Sequence, residues 1–233
     1  MRRMSRSRER THILVINPNT TASMTSKIGL AAIAAAGPST RITAVNPPTG
    51  PAAIQGREDG EAALPGLFAL VEDWLAGPEH VDAIIIACFD DTGLWELKQR
   101  CPFPVLGIGE AAYHLAALSA VRFSVVTTLS VSVPVLEDNL YRTGLRARCA
   151  QVRASEVPVL ALEEKGTAGR AKIEAEIAAA LAEHDIGAIA LGCAGMADLA
   201  EDLSEKFKVP VIDGIAAAVR LIEALPYQGN RSG

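Results

Sequence analysis

Asp82-Ala-Ile-Ile-Ile-Ala-Cys88 is a short apolar run that starts on an acidic residue and ends on a thiol. Ile186-Gly-Ala-Ile-Ala-Leu-Gly-Cys193 repeats the pattern, and its cysteine comes 105 positions later in a chain of 233 residues. Continuous apolar runs of this length, bounded by turn residues, read as strands covered on both faces. Such strands belong to parallel sheets. In an open α/β sheet, ligands bind beyond the C-terminal ends of the strands. Each run therefore carries a cysteine to a functional edge.

The same pattern extends outward in both directions. Apolar runs at 12–16, 41–45, 82–87, 104–107, 122–127, 148–153, 186–191 and 209–212 predict strands. Helical patterns at 21–36, 58–76, 94–100, 110–118, 131–143, 166–184, 196–207 and 215–225 lie between and after them. Strict alternation of this kind indicates βαβ units. The halves also match each other. Val15-Ile16-Asn17-Pro18-Asn19-Thr20 pairs with Val125-Val126-Thr127-Thr128-Leu129-Ser130, and Pro104-Val105-Leu106-Gly107 with Pro210-Val211-Ile212-Asp213. With the cysteine runs, these are three similarities at offsets of 105 to 110 residues, which indicates duplication. The expected fold is α/β, with two similar lobes. Each is a parallel sheet flanked by helices, and a pseudo-two-fold axis runs through the cleft between them. Residues 12–112 with 215–233 are assigned to the first lobe and 113–214 to the second, after a disordered basic leader at 1–11.

Composition agrees with such a core. Hydrophobic residues make up 49% of the chain and aromatics only 4%, so Ala, Val, Ile and Leu must do the packing. A net charge of −5 gives no reason to expect a nucleic-acid partner, and no apolar run approaches the ~18–20 residues that cross a bilayer. Arg2-Arg3 raises the question of a twin-arginine signal. The apolar run Ile13–Ile16 is too short for a signal core and no small-residue cleavage site follows, so a leader with Met4 as an alternative start and a cytoplasmic location are expected.

The four cysteines, at 88, 101, 149 and 193, show no CxxC or Cys/His metal spacing, so free thiols in a reducing compartment and no metal are expected. Cys101 and Cys149 read as small packing residues. Cys88 and Cys193 each precede a turn and a helix, where free N–H groups favour a thiolate and can bind an oxyanion. Two such thiols facing one cleft can take a proton from one face of a carbon and return one to the other, with no cofactor. Asp90 and Asp91 complicate the first thiol. A nearby carboxylate raises a thiol pKa, whereas one capping a helix does not face the sulfur; the other is free to accept a substrate N–H. Asn17 is placed to point into the cleft, with Thr127 and Thr128 as counterparts in the second half. Asn19 and Thr20 read as capping residues. The loop Asn46-Pro47-Pro48-Thr49-Gly50-Pro51, with Ile54-Gln55-Gly56, is a candidate lid or cleft wall. Other chemistries lack their signatures. Gly107-Ile108-Gly109-Glu110-Ala111-Ala112 has no ribose-binding acid at the required distance and reads as a strand-to-helix turn. There is no GxSxG, HExxH or P-loop, and no lysine in a distinctive setting for pyridoxal.

Leu14-Val15-Ile16-Asn17-Pro18-Asn19-Thr20, Ala87-Cys88-Phe89-Asp90-Asp91-Thr92-Gly93-Leu94, Gly107-Ile108-Gly109-Glu110-Ala111 and Leu191-Gly192-Cys193-Ala194-Gly195-Met196 together resemble the hydantoin racemases, a branch of the aspartate/glutamate racemase superfamily that includes allantoin racemases. The resemblance implies cofactor-independent inversion of C5 in 5-substituted hydantoins and a homo-oligomer. It implies Cys88 and Cys193 as the acid/base pair, with Asn17, Thr127, Thr128 and the backbone after each cysteine (Phe89, Asp90, Ala194) at the substrate. The amino-acid racemases of the superfamily typically carry Asn-Thr after the first cysteine and Thr-His after the second. Here Phe89-Asp90 and Ala194-Gly195 stand instead, which favours a neutral ring over a free amino acid. An allantoin racemase is the alternative; an amino-acid racemase, a decarboxylase, a cis-trans isomerase or a small-molecule binding protein stand further off.

Overall fold

The computed structural model describes residues 11–163 and 167–225. The basic leader, apart from Thr11, lies outside them, as do residues 226–233. Thr11 opens the first strand.

The chain forms two four-stranded parallel sheets of identical topology. In the first, β1 (Thr11–Ile16), β2 (Thr40–Val45), β3 (Ala83–Ile86) and β4 (Val105–Gly107) lie in the order β2-β1-β3-β4. In the second, β5 (Phe123–Thr127), β6 (Cys149–Ala154), β7 (Ala188–Gly192) and β8 (Val211–Ile212) lie in the order β6-β5-β7-β8. All eight predicted strands form, within two residues of their expected bounds. The helices are α1 (Ala22–Ala35), α2 (Arg57–Ala76), α3 (Leu94–Arg100), α4 (Ile108–Ser119), α5 (Val133–Arg142), α6 (Thr167–Glu183), α7 (Ala200–Phe207) and α8 (Gly214–Ala224). The expected helix over 196–207 is divided, since a 3-10 turn takes Ala194–Leu199 before α7 begins.

Side-chain alternation along the strands explains the layers. Ile13, Val15 and Ile85 point into a central core shared with Val125 and Ala190 of the second sheet and with helices α1, α4 and α8. Leu14, Ile16, Ile84 and Ile86 face the other way, onto Leu67, Val71, Leu94 and Leu97 of α2 and α3. Val126, Ile189 and Leu191 do the same in the second sheet, packing on Ile173 and Ile177 of α6 and on Leu203 of α7. Every central strand is thus covered on both sides, which is why these strands read as unbroken apolar runs.

In each sheet the chain turns one way from the first strand (β1 to β2) and the other way from the third (β3 to β4). The gap between β1 and β3, and likewise between β5 and β7, is a topological switch point, where an open sheet leaves room for a ligand. Cys88 lies two residues beyond β3, and Cys193 directly follows β7. No described helix is long and apolar enough to cross a membrane.

Candidate active site

One cleft receives the ends of both sheets. Ala87, Cys88, Phe89 and Asp90 reach it from the first, and Thr128, Gly192, Cys193 and Ala194 from the second. Counted out to open solvent, it holds about 370 Å3 of free space. All four cysteines are free thiols; Cys88 and Cys193 are half-buried, while Cys149, the first residue of β6, is buried in the central core, where burial pushes its thiol up to about 11. Among the described residues, no three His, Cys, Asp or Glu side chains come together to hold a metal ion.

The two cysteines share a local geometry. The Gly195 N–H donates to Cys193 Sγ at 3.4 Å, with Cys193 as N-cap of the 3-10 turn. The Thr92 hydroxyl donates to Cys88 Sγ at 3.6 Å, and the backbone N–H of Asp90 also favours the thiolate. In both halves a backbone N–H two residues further along acts on the sulfur. The surroundings differ. Burial, and after it the carboxylate of Asp90, push the Cys88 thiol far above its usual range.

Asp90 and Asp91 have separate duties. Asp91 adopts a left-handed φ of 52° and turns its carboxylate onto the start of α4, accepting from the Gly109 N–H at 2.9 Å and the Glu110 N–H at 2.8 Å. It caps a helix, but not the one that follows it in sequence. Burial, and then the charge of Glu110, raise its pKa despite those bonds. Asp90 lines the cleft. Its carboxylate accepts from the Ser132 hydroxyl at 3.2 Å and from the Gly56 N–H, and its backbone carbonyl accepts from the Asn139 amide at 2.8 Å. It thus joins the first sheet's loop to the segment leading into α5 and to α5 itself. Burial holds its carboxyl up at about 6.

Six of the eight expected site residues line this cleft: Cys88, Cys193, Phe89, Asp90, Thr128 and Ala194. The other two stand behind it. Asn17 is buried in its own turn, where its amide donates to Asn19 Oδ1 at 2.9 Å and Thr25 Oγ1 at 3.0 Å. Thr127 donates to the Gly192 carbonyl at 2.9 Å; a Cβ on Gly192 would sit 2.6 Å from the Thr127 Cβ, so this pair fixes the strand end before Cys193. Asn19 lines the cleft in place of Asn17, and its Oδ1 accepts the Thr21 N–H at 2.9 Å.

Sequence reasoning passed over Met24, Ser132 and Val159, which complete the lining. Of the loop after β2, none of residues 46–51 lines the cleft, and Ile54 alone reaches it. The loop is tied down by the Thr20 N–H on the Pro51 carbonyl at 3.0 Å. Gln55 then reaches the second half, accepting the Val159 N–H at 3.2 Å.

The family model for Asp/Glu/Hydantoin racemase matches residues 13–222. A hydantoin racemase of Rhizobium meliloti is 44% identical over 92% of this chain and 88% of its own length. An allantoin racemase of Klebsiella pneumoniae superposes with a TM-score of 0.87 at 42% identity, over 92% of this chain and 87% of that one. The allantoin racemase of Pseudomonas fluorescens gives a TM-score of 0.87 at 38% identity, over 95% of both chains. This chain belongs to the Asp/Glu/hydantoin racemase family and is an isomerase of the racemase type.

Proposed function

We propose that this member of the racemase family inverts C5 of 5-substituted hydantoins, using Cys88 and Cys193 as the two proton-transfer groups. The observation that supports this most directly is the pair of thiols at matching positions in one cleft, delivered by the ends of β3 and β7. In this reading the hydantoin binds between the sheet ends. One cysteine, as thiolate, takes the C5 proton. The C4 carbonyl becomes an enolate, stabilised by N–H groups of the segments after the cysteines. The other cysteine, as thiol, delivers a proton to the opposite face, and the roles exchange for the opposite enantiomer. Asp90 and Thr128 offer acceptors to the ring N–H groups, while Phe89 and Ala194 supply apolar wall.

The lobes of this reading are 12–112 with 215–233 and 113–214, and the working form is a homo-oligomer, which size-exclusion chromatography with light scattering would check. The solved allantoin racemases at TM-score 0.87 favour a second substrate reading, with a ureido group at C5.

The test is polarimetry in deuterated buffer with single enantiomers of benzylhydantoin, isopropylhydantoin and allantoin. Wild type should lose rotation with deuterium entering C5. Cys88→Ser and Cys193→Ser should each lose activity by at least the ~10²–10⁴-fold that a positioned acid or base contributes, with circular dichroism unchanged. Full activity in either variant would defeat the two-thiol scheme, and no exchange with any of the three substrates would defeat the hydantoin reading.

A further inference from the structure

We propose that Asn139 is a positioning residue for Cys88. From α5, in the second half of the chain, it holds the main chain of the cysteine turn at Asp90, so one bond sets both the approach of the halves and the aim of the first thiol. The consequence for turnover rests on the two-thiol reading above. Cys88 and Cys193 are delivered by separate sheets, and no strand of one pairs with a strand of the other among the described residues. The distance between the sulfurs is therefore only as firm as the contacts that join the halves. Proton transfer at one carbon tolerates little play, since a misplacement of about 1 Å can cost about 10²-fold in rate.

Asn139 stands where the helix pattern calls for an apolar residue. The buried face of α5 is Leu136, Asn139 and Leu140, one stripe at i, i+3 and i+4. Both leucines belong to the central core. An amide buried beside them is costly unless it is hydrogen-bonded. Its Nδ2 donates to the Asp90 carbonyl at 2.8 Å, across 49 positions of sequence.

The turn passes this hold on to the thiol. The Cys88 carbonyl accepts the Asp91 N–H at 3.0 Å, and the Asp91 carbonyl accepts the Leu94 N–H at 3.1 Å. Asp90 thus sits inside a closed turn that begins at Cys88, and moving its peptide group moves the turn. Ser132, at the start of α5, reaches the same residue, but on the carboxylate, at 3.2 Å. A carboxylate can rotate about its side-chain bonds while the turn stays in place. Asn139 grips the backbone, which has no such freedom. It also ties the Cys88 turn to the half of the chain that carries Cys193.

The experiment compares Asn139→Leu, which keeps the bulk and removes the donor, with Leu136→Val, which trims the same helix face without touching Asp90. Steady-state kinetics on single hydantoin enantiomers are measured in the full chain. Limiting iodoacetamide, read by peptide mass mapping, then gives the Cys88 labelling rate. In Asn139→Leu kcat should fall at least about tenfold with KM within about threefold, the split expected when chemistry rather than binding is disturbed. Cys88 labelling should rise at least about fivefold, because a released turn opens to solvent. Leu136→Val should lower Tm yet leave kcat and Cys88 labelling within about twofold of wild type, since a distant packing loss acts on unfolding and not on the turn. Asn139→Ala replaces Asn139→Leu if the latter fails to fold. Cys88 labelling that is unchanged or slower in a folded Asn139 variant, kcat within about twofold of wild type there, or equal shifts in Leu136→Val would overturn the proposal. If wild type turns over no hydantoin, the substrate reading falls, and the labelling comparison alone decides whether Asn139 holds the Cys88 turn.

Discussion

Replacing Gly107 by Ala should damage the first half of the site through a single contact. Gly107 has φ −92° and ψ 150°, which any residue adopts, so alanine brings no backbone strain there. The cost is steric: a Cβ would lie 1.9 Å from Asp91 Oδ1 and 2.4 Å from its Cγ. No rotamer change in the alanine relieves this, so the Asp91 carboxylate must leave the Gly109 and Glu110 N–H groups. Each lost bond is charge-assisted and net worth about 1.5–3 kcal/mol, and part of the sum is returned because a buried carboxylate is released, which leaves about 3 kcal/mol of destabilisation. Urea unfolding followed by circular dichroism measures it. Gly144→Ala is the control: Gly144 has φ +74° and nothing within 4 Å of a Cβ, so only the left-handed backbone term of about 1–2 kcal/mol applies. The decisive variant combines Gly107→Asp with Asp91→Gly. It moves the carboxylate to the position that Asp213 holds in the other half, and glycine suits the left-handed φ at 91. It should recover at least half of the lost stability. A Gly107→Ala loss below about 1 kcal/mol, or no recovery in the combined variant, would refute the reasoning.

Three further outcomes follow from the same geometry. Asp90 binds its proton more tightly folded than unfolded, so the stability it confers is complete below its ordinary value of 3.8 and is lost as pH rises through about 6. Asp90→Asn should therefore gain about 2 kcal/mol relative to wild type between about pH 4.5 and about pH 7.5 in chemical unfolding, and a pH-independent difference would contradict the assignment. Asp213 accepts the Ile215 and Ala216 N–H groups at 3.0 and 2.8 Å. Asp213→Ala should cost about 1–2 kcal/mol, as an N-cap loss does, seen as a lower Tm. Gln55→Ala removes the bond from the loop after β2 to the Val159 N–H; it should raise KM severalfold and leave kcat within about twofold in steady-state kinetics, the pattern of a group that aids substrate and transition state alike.

The architecture was legible because strands buried on both faces advertise themselves. Ile84-Ile85-Ile86 and Ile189-Ala190-Leu191 have no polar alternative, and the repeat at 105–110 residues showed the second sheet as a copy of the first. The thiols were legible for the same reason, since each sits at the end of such a run. What sequence could not resolve is the direction of side chains in turns. Asn17 and Asn19 flank one proline, and the choice between them depends on Thr25, eight residues on, which captures the Asn17 amide. Met24, Ser132 and Val159 carry no distinctive chemistry and come from three separate segments, so only packing reveals them. The partner of Asp91 is 18 residues away on α4, beyond any local capping pattern. The two glycines at 107 and 109 were the available signal. The absent side chain at 107 makes room for the carboxylate, and a Cβ at 109 would lie 2.4 Å from the Phe89 carbonyl oxygen.

The halves also differ in how they hold the helix that follows the site, and this separates stability from activity. Helix α4 is capped by Asp91, three residues after Cys88, so its start is bonded to the cysteine turn. Helix α8 is capped by its own Asp213, while the residue three after Cys193 is Met196, buried in the apolar cluster under the second sheet. Releasing the α4 cap therefore loosens the turn that positions Cys88 and the Asp90 N–H. Releasing the α8 cap leaves the Gly195 N–H on Cys193 untouched. At a temperature where both variants are folded, Gly107→Ala should lower kcat at least tenfold, about 1.4 kcal/mol in the barrier, whereas Asp213→Ala should keep kcat near the wild-type value. Equal losses of kcat in the two variants would mean that the Asp91 bond serves only the fold, and the coupling of α4 to Cys88 would have to be abandoned.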